Sequence, residues 1–225
     1  MTVLHLADEG EAADLAAFLS RLIHYDRAAA VRLQAAGTAL AVFGRPPSFE
    51  VLAIRTARLA KPYEDGLDVA LDVTVSAGEL LEAVDESAAT AVVPGAVTGP
   101  PWAGMLPPRS GWRPEAGLPG PEELRGMVGA AVAEFRARTE ELGPEGRTRA
   151  ELDRIGRDIW SRAVGSTRLP VRAVHAAQAL GFLRGAGEAS VGLFSSGAWL
   201  RLRTPYGSIA VRRAGLGALD VSVSR

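Results

Sequence analysis

The sequence predicts an α+β protein, and three observations carry that prediction. Apolar and polar residues alternate with the period of strands near both ends, while the stretch 121–184 repeats its apolar residues with the period of helices. Between them, residues 94–121 hold too much proline and glycine for a regular helix or an internal strand.

The first block, 1–93, reads as mixed α/β. Residues 3–6 make a short strand, and a helix follows over 8–24, with Asp8 as N-cap and Glu11 at the capping-box position. Leu15, Phe18, Leu19 and Leu22 form its core-facing stripe. Strands over 28–35 and 38–43 flank Ala36-Gly37, a hairpin signal, and a third strand spans 49–59. In 68–75, Val69, Leu71, Val73 and Val75 alternate with Ala70, Asp72 and Thr74, the pattern of a half-buried strand. Ser76 then caps a short helix with Glu79 at the capping-box position and Leu80, Leu81 and Val84 inward, and a small strand at 91–93 closes the block.

Half of the 28 residues in 94–121 are proline or glycine, so this segment reads as a long loop or linker. Pro121 suits a first helical position, and Glu122 and Glu123 suit the positive end of the helix dipole. That helix carries Leu124, Met127, Val128, Ala131, Val132 and Phe135 on one face and stops at Gly143-Pro144. Thr148 and Glu151 make another capping box, opening a second helix to about 164 and so an antiparallel helical hairpin. A third helix runs from Pro170 to about 185. The rest, 122–225 with its helices set aside, is a β meander: strands at 189–195 and 198–204 around Ser196-Gly197, then 208–213, then 219–224. The chain thus divides at 1–93, 94–121 and 122–225, with the two β regions forming either one sheet or two domains.

Composition narrows the chemistry. Apolar residues at 48% and charged residues at 23% are ordinary for a globular protein. Cysteine is absent, which excludes disulfides, thiolate nucleophiles, iron–sulfur clusters and cysteine zinc sites. The start lacks a basic and apolar leader and no apolar run approaches ~20 residues, so a cytoplasmic protein with no membrane contact is expected. Lys61 is the one lysine among 25 basic residues, a bias expected of a GC-rich bacterial genome. Charge is uneven: 1–100 carry 14 acids and 7 bases, 101–165 carry 10 of each, and 166–225 carry 2 acids and 8 arginines. Such a gradient marks an anionic partner, internal docking of the two ends, or head-to-tail self-association.

Catalytic motifs are missing. His5, His24 and His175 form no metal-binding pattern, and His24 sits at a helix C-terminus, where a cation is favoured. There is no GxSxG elbow and no phosphate-binding GxxxxGK[ST] loop, and Gly181, Gly185 and Gly187 end a helix instead of opening one. The paired acids Glu64-Asp65, Asp85-Glu86 and Glu140-Glu141 are sequence neighbours, not facing carboxylates. No catalytic residue, metal or cofactor is therefore expected, and an enzyme would need a site assembled from scattered residues.

Two regions are candidates for binding. In the proline-rich segment, Trp102, Arg109, Trp112 and Arg113 sit in a stiff frame and either pin the segment onto its own domains or anchor a partner, since Trp and Arg dominate interface hot spots. In the C-terminal region, three helices and a hairpin have the outline of a winged helix-turn-helix. There Arg172, His175, Gln178 and Arg184 would face DNA, while Trp199, Arg201 and Arg203 share one strand face beside Arg212 and Arg213. That strand face either holds a nucleic-acid backbone or pairs with the acidic block.

The order β-α-β-β-β-β-α-β of residues 1–93 resembles one repeat of a DNA sliding clamp. The stretch 71–84 (Leu-Asp-Val-Thr-Val-Ser-Ala-Gly-Glu-Leu-Leu-Glu-Ala-Val) is similar to that family's strand-then-helix step. The resemblance implies a clamp-like fold and surface for this block and carries over no site residue. The expectation is a non-enzymatic protein–protein interaction, regulatory or scaffold protein, with self-association open. Nucleic-acid binding is the first alternative, and an enzyme with a dispersed site the second.

Overall fold

Side-chain caps start three of the helices. Asp8 accepts a hydrogen bond from the Glu11 N–H, Ser76 from Glu79 and Thr148 from Glu151, each satisfying an orphan donor of a first turn. The computed structural model describes residues 2–62, 71–185 and 191–213. In chain order its elements are β1 (Val3–His5), α1 (Glu9–Tyr25), β2 (Ala30–Ala36), β3 (Ala39–Gly44), β4 (Leu52–Arg58) and β5 (Leu71–Ser76). There follow α2 (Ala77–Glu82), β6 (Val84–Asp85), β7 (Thr90–Val92) and β8 (Arg113–Glu115). The last are α3 (Pro121–Glu141), α4 (Gly143–Gly146), α5 (Arg149–Trp160), α6 (Val171–Ala179), β9 (Gly192–Ser196), β10 (Trp199–Thr204) and β11 (Gly207–Arg212). The fold is α+β with antiparallel sheets, and β9, β10 and β11 form the C-terminal meander.

The two β regions share one eight-stranded sheet in the order β5-β2-β3-β4-β11-β10-β9-β8, and a small sheet β1-β7-β6 lies apart. The join is antiparallel pairing of β4 with β11, Ser208 opposite Ile54 and Ala210 opposite Leu52. One face of the large sheet carries Leu33, Val42, Ala53, Leu202 and Ile209, all buried against helices that contribute Leu15, Leu19, Val128, Val174 and Ala177. On this face Arg55 is 6% exposed, and its guanidinium donates to Glu11 (2.9 Å), Asp14 (3.2 Å) and the Tyr206 carbonyl (3.0 Å). Asp14 also pairs with Arg184, whose guanidinium stacks on Tyr206. This cluster ties α1 to both halves of the sheet.

Several boundaries differ from the sequence reading. The strand expected from residue 49 begins at Leu52, because Pro46-Pro47 open a 3₁₀ turn over Pro47–Phe49 and Glu50 then takes a left-handed backbone with φ of 50°. Val84 belongs to β6 and not to a helix. The third helix stops at Ala179, two residues before Gly181 with φ of 75°. The proline-rich segment holds a 3₁₀ turn, Pro101–Gly104, and the strand β8; Pro114 is tolerated there because β8 is the sheet's edge. The expected strand 219–224, residues 68–70 and 189–190 of two others, and the pair Glu64-Asp65 lie outside the described residues.

Candidate functional site: the open face of the large sheet

Strand alternation sends the other set of side chains to the face without helices. From β5 to β9 this face carries Asp72, Arg32, Gln34, Ala41, Phe43, Ile54, Thr56, Ser208, Trp199, Arg201, Arg203 and Phe194. The proline-rich crossover folds back onto it. Arg32 holds Asp72 bidentately (Nε–Oδ1 2.6 Å, Nη2–Oδ2 2.8 Å) and donates its third arm to the Ala103 carbonyl, which docks the 3₁₀ turn. Beneath the turn, Phe43, Leu52, Ile54 and Ala210 form a second small core with Trp102, Leu106 and Trp199. The Arg32 hydrogen bond is the main reason that the Asp72 carboxyl lies below the usual carboxylate range; Gln34 and the charge of Arg109 act the same way.

Past that core the crossover leaves the sheet, and two cavities open along its flank. One, about 340 Å³, lies between Trp112, Phe194, Arg203 and the β10–β11 turn. The other, about 240 Å³, lies between Ala39, Phe43, Pro108 and Arg109. Thr56 and Arg201 line both, so the two are parts of one trough across the sheet. Trp112 forms its rim: the indole N–H donates to the Pro108 carbonyl at 2.9 Å and closes a tight loop. Among the described residues, no acid and no histidine lines either cavity.

Arg201 is the unusual member. Register sets it opposite Phe194 on β9 and Ala210 on β11, and its guanidinium lies 5.7 Å from the centre of the Trp112 ring. It forms no salt bridge with a described acid, and its Nε is buried without a hydrogen-bond partner among the described residues. Burial, and then the charge of Arg203, lower its pKa from the ordinary arginine value. A cation held in this way attracts an anion that supplies the missing acceptor.

The structure places the candidates from sequence in three groups. Trp102 packs inward into the small core, whereas Arg109 and Trp112 line the trough with Arg201 and Arg203. Arg113 sits on β8 opposite Ser195, outside the trough lining. The winged-helix arrangement is not what forms. Helix α6 buries Val171, Ala173, Val174, Ala176 and Ala177 in the core, His175 stacks on Trp160 at 4.6 Å, and Arg184 is engaged by Asp14. Of the four expected on a DNA-facing helix surface, Gln178 and Arg184 are exposed but Arg184 lies beyond α6, so they share no reading face. The hairpin expected as a wing lies inside the large sheet. Arg172, Arg212 and Arg213 gather at a separate cleft, and Trp199 belongs to the small core.

Sequence reasoning missed Thr56 and Phe194. Phe194 had a signal, since Leu193 inward and Phe194 outward continue the alternation of Leu200, Arg201 and Leu202. Thr56 was hidden in a strand whose polar residues, Arg55, Thr56 and Arg58, fall on both faces and blur the alternation.

Residues 1–104 match the model of a domain of unknown function (DUF8010), and residues 107–216 match that of another domain of unknown function (DUF8185). Among curated proteins nothing matches the chain. The trough draws on both matched regions: Ala41, Phe43, Ile54 and Thr56 come from the first, and Trp112, Phe194, Arg201 and Arg203 from the second.

Proposed function

We propose that this is a non-enzymatic, regulatory interaction protein of the bacterial cytoplasm that docks an extended acidic segment of a partner protein in the trough. The observation that carries this reading is Arg201, a half-buried cation with no described acid beside it, flanked by Arg109 and Arg203. Trp112 and Phe194 supply apolar contact next to these charges, the combination found at interface hot spots. That no described acid or histidine lies in the lining favours binding over acid–base chemistry. Among the described residues no helix is long and apolar enough to cross a membrane, and no group of three or more His, Asp or Glu is placed to hold a metal.

A photo-crosslinking amino acid at position 112 tests the proposal in the native host. A protein adduct that disappears in Arg201→Met, with an acidic stretch at the crosslinked peptide, supports it. An adduct unchanged by Arg201→Met, a basic crosslinked peptide, or no adduct overturns it. A nuclease-sensitive adduct replaces it with nucleic-acid binding.

A further inference from the structure

A second cleft lies where α6 begins, on the opposite side of β10 and β11 from the trough. It has a volume of about 660 Å³ and is lined by Arg168, Arg172 and Arg213 and by the edge of Arg212, whose guanidinium turns to the open face and meets Met105. No acid lines it. Arg172 and Arg213 form no salt bridge with a described acid, and Arg168 makes a long, exposed pair with Glu115 at 3.7 Å. Arg213 donates to the Gly197 carbonyl, which fixes one guanidinium at the mouth. The Nε of Arg172 is buried with no hydrogen-bond partner among the described residues.

Like charges from Arg168, Arg172 and Arg213 around one cavity repel each other, and among the described residues only the exposed Arg168 has a carboxylate within reach. The first turn of α6 adds to the positive potential, since its cap, Pro170, offers no side-chain acceptor. Leu200 and Val211 give the cleft an apolar floor. The volume is that of a small-molecule site and not of a long polyanion track. We infer that this cleft binds a small metabolite carrying a phosphate or diphosphate group, with the oxyanion held by Arg168, Arg172 and Arg213 and the organic part on Leu200. The inference is independent of the trough.

Calorimetric titration of the full chain with inorganic pyrophosphate at low salt tests this, with sulfate at equal ionic strength as control. The expected result is one site, preferring pyrophosphate to sulfate and weakened at least about tenfold by Arg172→Gln or by the more exposed Arg168→Gln. Arg201→Met should leave it unchanged, which separates the cleft from the trough. Circular dichroism and melting of each variant show whether the fold survives, and Arg168→Gln keeps the test valid if Arg172→Gln does not fold. Three results overturn the inference: no pyrophosphate binding, binding equal in the folded variants and the wild type, or binding lost in Arg201→Met. A single-stranded oligonucleotide that displaces pyrophosphate with at least about a hundredfold tighter affinity overturns it in favour of nucleic acid.

Discussion

Replacing Arg201 by methionine should stabilise the unliganded protein, the reverse of the usual effect of altering a well-packed residue. The wild-type side chain keeps a buried Nε without an acceptor and feels the charge of Arg203 two residues along the same strand face. An unsatisfied buried donor costs about 1–3 kcal/mol. Against this, the variant loses the cation–π contact with Trp112, worth about 0.5–1 kcal/mol at a partly exposed site. Methionine fills much of the space of the aliphatic stem, so little packing is lost. The balance favours the variant by about 1 kcal/mol, which for a chain of 225 residues raises Tm by about 2–4 °C. Urea and thermal unfolding at low salt measure it. An added acidic peptide should then narrow the gap, because a peptide carboxylate bound at Arg201 stabilises only the wild type. A variant less stable by 1 kcal/mol or more, with an unchanged denaturant slope, would refute the reasoning and make Arg201 a structural residue.

Arg55→Met should be costly, since it leaves Glu11 and Asp14 facing the sheet with their shared cation gone; Arg58 and Arg184 retain part of the pairing, so the loss is about 3 kcal/mol, or a Tm lower by about 6–12 °C in a thermal melt. Burial lowers the His175 pKa, so the unfolded chain binds a proton first, and stability falls as pH drops through about 6.5 towards the folded value and then levels; His175→Phe should remove that component of the pH 5–7 melting profile. Arg32→Ala should cost about 1–2 kcal/mol and loosen the crossover, seen as faster limited proteolysis within 103–112, with secondary structure by circular dichroism unchanged.

Local chemistry made much of the fold legible. Asp8, Ser76 and Thr148 cap the helices they were expected to cap, and Gly37 and Gly197 take the positive φ that their hairpins need. Long-range choices were not legible. The crossover lies on the sheet because Arg32 reaches a carbonyl 71 positions away, and the two β regions merge because β4 pairs with a strand some 150 residues later. Nothing in the composition of 94–121 names Arg32 or Asp72 as its dock. The sequence did show that Trp112 and Arg109 sit in a stiff frame and that Arg201 and Arg203 share a face. It did not show that a single trough would unite them, since that needs the sheet join.

The charge gradient takes on a different meaning once pairing is known. Internal docking of the two ends would set C-terminal arginines against N-terminal acids, yet among the described residues Arg184 with Asp14 is the one such pair. The N-terminal acids Asp8, Glu11, Asp14 and Asp72 are engaged by Arg32, Arg55 and Arg58 of their own block. That leaves Arg172, Arg201, Arg203, Arg212 and Arg213 without a described acid: Arg201 and Arg203 at the trough, Arg212 beside Met105 on the same face, and Arg172 and Arg213 at the cleft on the other. An excess of positive charge that merely solvates a surface does not bury its donors, yet Arg172 and Arg201 each bury an unpartnered Nε. On the proposed reading an anion at each position would supply the missing acceptor; Arg55 shares the unpartnered Nε, but its guanidinium already holds Glu11 and Asp14.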